Sequence, residues 1–287
     1  MSHSISYPLY ESEPFGGTVM AELFEAIGFE VDDEVSYSRL AEYAENNGKR
    51  SHIHRGDSTL HGRCWRLGAG LEVWSMLYER DGEIFYTDCR PAFRSRYVRS
   101  IRDWELIEYD EDGESILKGR MAGGVHIVFE LQNLTESDSS AFRRPQLDMA
   151  LAGLAYSAQV RPASIKGRRK MGMPYRFDLA EELPEYAEDA CENDYLISGK
   201  ILAWREMKNS FTSSDLVWIH VDLGETYLEV LVNRRALSGQ LDIGYWITAT
   251  VWLQGHLLEA DEIVTRYEGV DPSFEASDFW AWIRRGN

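Results

Sequence analysis

The chain has few of the residues that build covalent or metal-held frameworks. Its 287 residues include only three cysteines, Cys64, Cys89 and Cys191, at scattered spacings and without a Cys-x-x-Cys pair. An odd number of widely spaced cysteines argues against a disulfide framework and against a zinc cage. We therefore expect reduced, inert thiols and no cofactor.

Long apolar segments are also missing. Residues 1–11 contain neither the basic region nor the apolar stretch of a secretory signal. The longest charge-free stretch of the C-terminal half, Ile243–Leu258, has 16 residues and includes several polar ones, whereas a membrane-spanning helix needs about 20 mostly apolar residues. We predict a cytoplasmic protein that does not bind membranes.

Basic residues are scarce relative to acidic ones. The chain has 30 lysines and arginines against 48 aspartates and glutamates, a formal net charge of -18. Such an excess of acid repels nucleic acid unless a local basic patch overrides it. The 44% apolar and 12% aromatic content is nevertheless typical of a folded protein. A protein partner is therefore expected before a nucleic acid.

The common catalytic motifs are absent. The sequence has no G-x-S-x-G elbow, no P-loop and no G-x-G-x-x-G after a predicted strand. With 48 carboxylates in the chain, no acid/base pair can be identified by spacing. The sequence therefore favours a protein that is not an enzyme.

What the sequence does contain is a sharp change of charge in its middle. Residues 161–176 include six basic and no acidic side chains, and residues 178–194 include eight acidic and no basic ones. Glycine and proline interrupt the basic part, which has no apolar period, so the pattern is typical of an exposed connector. We predict an N-terminal α+β domain at 1–160, a charged linker at 161–194, and a second domain at 195–287. Proteolysis should cut first between Lys166 and Arg176.

The N-terminal part shows two helical patterns followed by strands. Thr18–Ile27 and Ser38–Asn46 have apolar residues at helical spacing, and each is followed by a glycine. Alternating segments and Asp-Gly pairs then predict hairpins of an antiparallel meander. Residues 147–160 fit both a helix and a strand, and their alanine content favours a helix.

The C-terminal part resembles a small barrel in its pattern. Five strand-like segments lie between Tyr195 and Ala260, separated by glycines, and an OB-like barrel is the common five-stranded solution. A Trp-rich end around Trp280 and Trp282 predicts a final helix. The predicted fold class is mainly β (α+β), an antiparallel meander with two N-terminal helices followed by the barrel. A similar order of features after Val73–Trp74 and after Val217–Trp218 leaves an internal duplication open.

Two groups of residues are candidate ligand sites. The first is an arginine strip interleaved with Phe93 and Tyr97: Arg90, Arg94, Arg96, Arg99 and Arg102. Arginine suits bidentate contact with phosphate, and aromatic rings suit base stacking. The alternative, which the acidic composition favours, is that these arginines pair with carboxylates of the same domain. The second group is the barrel aromatics, which are Trp218, Tyr227, Trp246 and Trp252.

A metal site is the weakest candidate. His52 and His54 would face the same side of an extended segment, with Asp57 or His61 as further donors. Arg55 among the ligands argues against a metal, and exposed histidines explain the pattern more simply. The expected function is thus a non-enzymatic binding protein that engages a protein partner. The first alternative is a polyanion or single-stranded nucleic-acid binder that uses residues 90–102 and the basic linker, and the second is a metal-dependent hydrolase.

Overall fold

Two helices open the described part of the chain, as the sequence predicts. The computed structural model describes residues 17–109, 113–162, 174–184 and 191–259. Helix α1 is Gly17–Ala26 and helix α2 is Glu34–Asn47. Asp33 caps α2 because its Oδ1 accepts the Ser36 amide at 2.7 Å, while the Asp33 amide donates to Ser36 Oγ. The predicted final helix lies outside the described residues.

A four-stranded antiparallel meander follows the helices. Its strands, in spatial order, are β1 (Lys49–Arg55), β2 (Ser58–Gly68), β3 (Leu71–Arg80) and β4 (Glu83–Phe93). Asp81 and Gly82 join β3 to β4 with φ of 54° and 81°, the positive values that the predicted turn requires. We call this meander the first sheet. One face of it packs against α2, and the other faces the second sheet.

The second sheet contains the remaining strands of the described residues. They are β5 (Val98–Tyr109), β6 (Glu114–Arg120), β7 (His126–Leu131), β8 (Gln146–Arg161), β9 (Arg176–Leu179), β10 (Asp194–Lys208), β11 (Asp215–Asp222), β12 (Tyr227–Asn233), β13 (Leu237–Ser238) and β14 (Trp246–Leu257). No helix among the described residues is long and apolar enough to cross a membrane.

The second sheet closes on itself twice. One ring runs through β8, β14, β10, β11 and β12, because each strand pairs with the next and β12 pairs with β8. The other ring runs through β8, β5, β6, β7 and β14 in the same manner. The two rings share the long antiparallel pair of β8 and β14. Apolar side chains from alternate positions fill both rings.

The two rings repeat one topology. A three-strand meander, β5–β7 or β10–β12, is followed by a long strand, β8 or β14, that pairs antiparallel with the first strand of its own meander. The third strand of each meander runs parallel to the long strand of the other unit. Glu130 and Glu229 therefore occupy equivalent positions, opposite Gln254 and Ala152. The internal duplication that the sequence left open would align β3 with β11. The observed repeat relates other strands, so it is a different repeat.

The helix favoured for residues 147–160 is wrong, because this segment is strand β8. Strands flank β8 on both sides, and most of its side chains are buried. The small residues allow this close packing: a Cβ on Gly153 would lie 3.0 Å from the Cβ of Val251. The alanine content therefore reflects crowding between strands and not helix propensity.

The OB-like barrel is not confirmed. The ring in the C-terminal part takes its fifth strand, β8, from residues 146–161, before the predicted linker. Strands on both sides of residues 161–194 thus share one sheet, which the charge pattern did not indicate. Residues 163–173 and 185–190 of the predicted linker lie outside the described residues, whereas residues 176–179 form β9.

Candidate functional site

Two arginines of the predicted strip lie in the interface between the sheets. Arg90 is 1% exposed and forms an ion pair with Glu130 of β7. Arg94 donates from Nε to Glu72 and from Nη2 to Glu136, each at 3.1 Å. Glu72 belongs to the first sheet, and it also pairs with His256 of β14 at 3.0 Å. Contacts of this kind join the first sheet to the second. Both arginines already have carboxylate partners within the protein.

The pKa values of the two buried carboxyl groups in this interface are shifted in opposite directions. Burial acts to raise the pKa of Glu72, but the contacts with His256 and Arg94, together with a hydrogen bond from Trp74, lower this pKa to about 2. Burial raises the pKa of Glu130 to about 8 despite the charge of Arg90. Both carboxyl groups are almost completely inaccessible. The arrangement is typical of a structural network and not of a site that a substrate reaches.

Arg96 and Arg99 of the strip contact β12, which carries one of the predicted barrel aromatics, Tyr227. The Arg96 amide donates to Glu229 Oε2 at 2.9 Å, and Arg99 Nη2 donates to the Tyr227 carbonyl at 3.1 Å. The guanidinium of Arg205 lies over the Trp218 ring at 5.4 Å. We call this group the arginine-aromatic cluster, and it comprises Arg96, Tyr97, Arg99, Arg205, Trp218, His220, Tyr227 and Glu229.

A buried histidine and a buried glutamate form the centre of this cluster. His220 and Glu229 lie directly opposite each other on β11 and β12 and are 1% and 2% exposed. Tyr97 stacks on His220 with ring centroids 4.9 Å apart. Burial and the charge of Arg99 lower the pKa of His220 to about 3, while burial raises that of Glu229 to about 7.

Sequence reasoning missed this pair, although a signal was present. Strand alternation puts His220 on the same face as Trp218, and Glu229 on the same face as Leu231. A polar residue at a core position of a strand is informative because burying it without partners is costly.

The other predicted aromatics lie elsewhere. Trp252 is 5% exposed and sits in the core opposite Leu154 of β8. Trp246 packs near Tyr175, with centroids 4.9 Å apart, and Lys200 lies over its ring. Arg102 donates from Nε to Gln146 Oε1 at 2.8 Å on the exposed side of β5. The structure therefore does not bring all predicted ligand residues into one site.

The predicted metal residues share one face of the β1–β2 hairpin. The rings of His52 and His54 have centroids 5.1 Å apart, and those of His52 and His61 are 6.1 Å apart. His61 Nε2 contacts Glu79 at 2.8 Å, and Asp57 lies in the turn before β2. Within the described ranges, no set of three or more His, Cys, Asp or Glu side chains is arranged to hold a metal ion.

A cluster of aromatic side chains lies on the surface where α2, β2 and the β10–β11 loop meet. We call it the aromatic patch, and it consists of Phe29, Tyr43, Trp65 and Phe211. The Tyr43 ring lies 4.5 Å from the Trp65 ring and 5.2 Å from the Phe211 ring, and the last two are 4.9 Å apart. Tyr43 is 41% exposed and Phe211 54%. Sequence patterns missed it because its members are far apart along the chain.

The loop that presents Phe211 is tied to the protein by side-chain hydrogen bonds. Asn209 is fully buried, its Oδ1 accepts the Phe211 amide at 2.8 Å, and its Nδ2 donates to the Ile27 carbonyl at 2.7 Å. Thr212 and Ser214 donate their hydroxyls to the Gly28 carbonyl at 2.7 and 2.8 Å. These hydrogen bonds hold the backbone of the loop in place, and the loop presents Phe211 at the surface.

A polar groove of about 530 Å³ adjoins the aromatic patch and shares Phe29 with it. It is lined by Gly28, Phe29, Glu30, Thr212, Ser213, Ser214, Asp215, Asn233, Arg234 and Arg235. Glu30 and Arg235 form an exposed ion pair at its side. The patch and the groove together combine an apolar platform with hydrogen-bonding groups.

Comparison with known proteins gives one partial match. A family model described as "Domain of unknown function, E. rectale Gene description (DUF3881)" matches residues 187–255, about a quarter of the chain. The matched range includes Phe211 of the aromatic patch. It also includes part of the arginine-aromatic cluster, namely Arg205, Trp218, His220, Tyr227 and Glu229. No curated protein and no solved structure matches the chain.

Proposed function

We propose that this protein is a non-enzymatic binding module that engages a protein partner through the aromatic patch. The observation that carries the proposal is the exposure of Tyr43 and Phe211 side by side against the half-buried Trp65, on elements that are far apart in sequence. Apolar surface left in water forgoes about 25 cal/mol per Å² of burial. Contiguous exposed aromatic groups are typical of interaction sites.

The residue types and the ordered loop of the aromatic patch also favour tight binding of a partner. Tyrosine and tryptophan are the residues that most often dominate binding energy at protein interfaces. A loop that is already ordered loses little conformational entropy on association, and Asn209, Thr212 and Ser214 order the loop that carries Phe211. The neighbouring groove offers the polar contacts that surround an apolar interface centre.

The alternatives have less support. A polyanion or single-stranded nucleic-acid binder would have to overcome the net charge of -18, and it could not use Arg90 or Arg94 without separating them from Glu130, Glu72 and Glu136. A metal-dependent hydrolase would require His52, His54 and His61 to take up a new arrangement. Metal analysis of the purified protein tests that reading.

Affinity capture from extracts of the native cell tests the proposal. The tagged protein is compared with Phe211→Ala, with Tyr43→Ala, and with Phe85→Ala as a control. Phe85 is 39% exposed in the β3–β4 hairpin, away from the patch. We expect that the wild type and Phe85→Ala retain the same partner protein. The affinity of the patch variants for that partner should be at least about 30-fold lower, which corresponds to a loss of about 2 kcal/mol of binding free energy.

Salt distinguishes this interface from the polyanion alternative. Retention on an apolar patch should change little between low and moderate salt, whereas phosphate binding weakens steeply. Identical captured proteins for all variants, or retention that disappears with moderate salt and depends on nucleic acid, would contradict the proposal.

A further inference from the structure

We infer that Arg96 and Arg205 form a binding site for a small oxyanion, of the sulfate, phosphate or carboxylate class. The inference concerns the arginine-aromatic cluster, which shares no residue with the aromatic patch. It can therefore hold or fail independently of the proposed function.

Arg205 stacks on an aromatic ring and has no hydrogen-bond acceptor among the described residues. It stands opposite Trp218 in the β10–β11 register, and the indole ring lies under its guanidinium. Its Nε atom is buried and has no hydrogen-bond partner within the part of the chain that the structure describes. A buried donor without an acceptor is destabilising, so the native state of such a group commonly includes a ligand or water. Because Nε is closed to solvent, an oxyanion would reach Arg205 through its Nη atoms, which are not among the buried groups without a partner.

Arg96 approaches the same place from the segment between β4 and β5. Its amide donates to Glu229 Oε2 at 2.9 Å, so its exposed side chain begins beside that carboxyl group. Among the described residues, neither Arg96 nor Arg205 has a carboxylate oxygen within ion-pairing distance of its guanidinium. Burial, and to a smaller extent the positive charge of Arg96, lower the pKa of Arg205, while the charge of Glu229 raises it.

The local charge is unbalanced in favour of an anion. Arg96 and Arg205 face one acid, Glu229, whose pKa burial raises to about 7, so it is only partly ionised near neutral pH. His220 on β11 is neutral at this pH, and β8 presents the uncharged Ala152 opposite Glu229. Arg99 adds further positive charge near His220. Paired guanidinium groups are well suited to bind oxyanions bidentately.

Sulfate is the best first probe because its charge does not change between pH 6 and 8. Calorimetric titrations and thermal melts would compare the full-length wild type, Arg96→Gln and Arg205→Gln with Arg143→Gln, an exposed arginine outside the cluster. Sodium chloride of equal ionic strength is the salt control. We expect sulfate to stabilise the wild type and Arg143→Gln, and to bind at least about tenfold more weakly to the two cluster variants. Phosphate and acetate titrations then rank the anion classes.

The dependence on pH gives a second readout that a structural role of the arginines would not produce. Sulfate affinity should fall as pH rises from 6 to 8, because Glu229 loses its proton and repels the anion. Glu229→Gln should bind sulfate with an affinity that no longer depends on pH in this range. A wild type that responds equally to sulfate and chloride, or an Arg96→Gln variant with unchanged sulfate affinity, would overturn the inference.

Discussion

Arg94 and Arg96 lie two residues apart, yet their surroundings are opposite. Arg94 is held between Glu72 and Glu136, whereas Arg96 is exposed and has no ion pair among the described residues. Arg94→Gln leaves the buried Glu72 with fewer donors, so it should lower the free energy of unfolding by about 3 kcal/mol. Arg96→Gln should change it by less than about 1 kcal/mol. Urea unfolding of both variants checks this, and equal losses would show that the two environments are misassigned.

Glu229 should make stability depend on pH. The carboxyl titrates near its ordinary pKa of 4.5 when unfolded and near 7 when buried. Between these values unfolding releases a proton, so raising the pH destabilises the native state through this group. Relative to wild type, Glu229→Gln should therefore gain up to about 3 kcal/mol between pH 4.5 and 7.

Urea unfolding of wild type and Glu229→Gln at several pH values measures this difference. The other titrating groups, including Glu72 and His220, are common to both proteins, so their contributions cancel in the comparison. A difference that is the same at pH 5 and pH 7.5 would mean that Glu229 is not buried as described.

At the scale of the element, Gly28 sets the position of the loop that carries Phe211. Its φ is 89°, and a Cβ there would lie 2.8 Å from the Ser214 Cβ. Gly56 also has positive φ, 59°, but a Cβ there would meet nothing within 4 Å. Gly56→Ala should therefore cost about 1–2 kcal/mol of backbone strain, and Gly28→Ala should cost clearly more because the loop must also move. Thermal melts compare the two, and equal costs would show that the loop is not held against Gly28.

Local patterns predicted some elements well and others poorly. The two helices and the β3–β4 turn follow from apolar spacing and from the Asp-Gly pair, which act over a few residues. The alanine content predicts a helix where strand β8 lies, because the environment of β8 is made by distant strands, which favour Ala and Gly for reasons of space. The same limit applies to the aromatic patch, since no local pattern links Tyr43 to Phe211.

At the scale of the whole molecule, the shared β8–β14 pair joins residues on both sides of the charged segment. The charge change at residues 161–194 is real, but β8 before it and β14 after it pair with each other. Pairing between distant strands leaves no local trace in composition. The prediction of two separate domains can therefore be tested directly against the interlocked rings.

Splitting the chain provides that test. Residues 1–162 and 174–287, produced as two chains in one cell, should assemble into a folded complex, because β8 supplies a strand to the ring of the second piece and β14 to the ring of the first. Neither piece should show cooperative unfolding by itself. Two pieces that fold independently and do not associate would support separate domains. A chain split between residues 121 and 122 is the control, because that split falls within the β5–β7 meander.

Photo-cross-linking from the aromatic patch tests the central claim most directly. Phe211 is replaced by p-benzoylphenylalanine in the full-length protein, and Phe85 is replaced in a matched control. After irradiation in the native cell, we predict that position 211 forms a discrete cross-link to a protein partner, and that position 85 does not. The absence of a cross-link from position 211, or the same products from both positions, would contradict the assignment of the patch as a partner-binding surface.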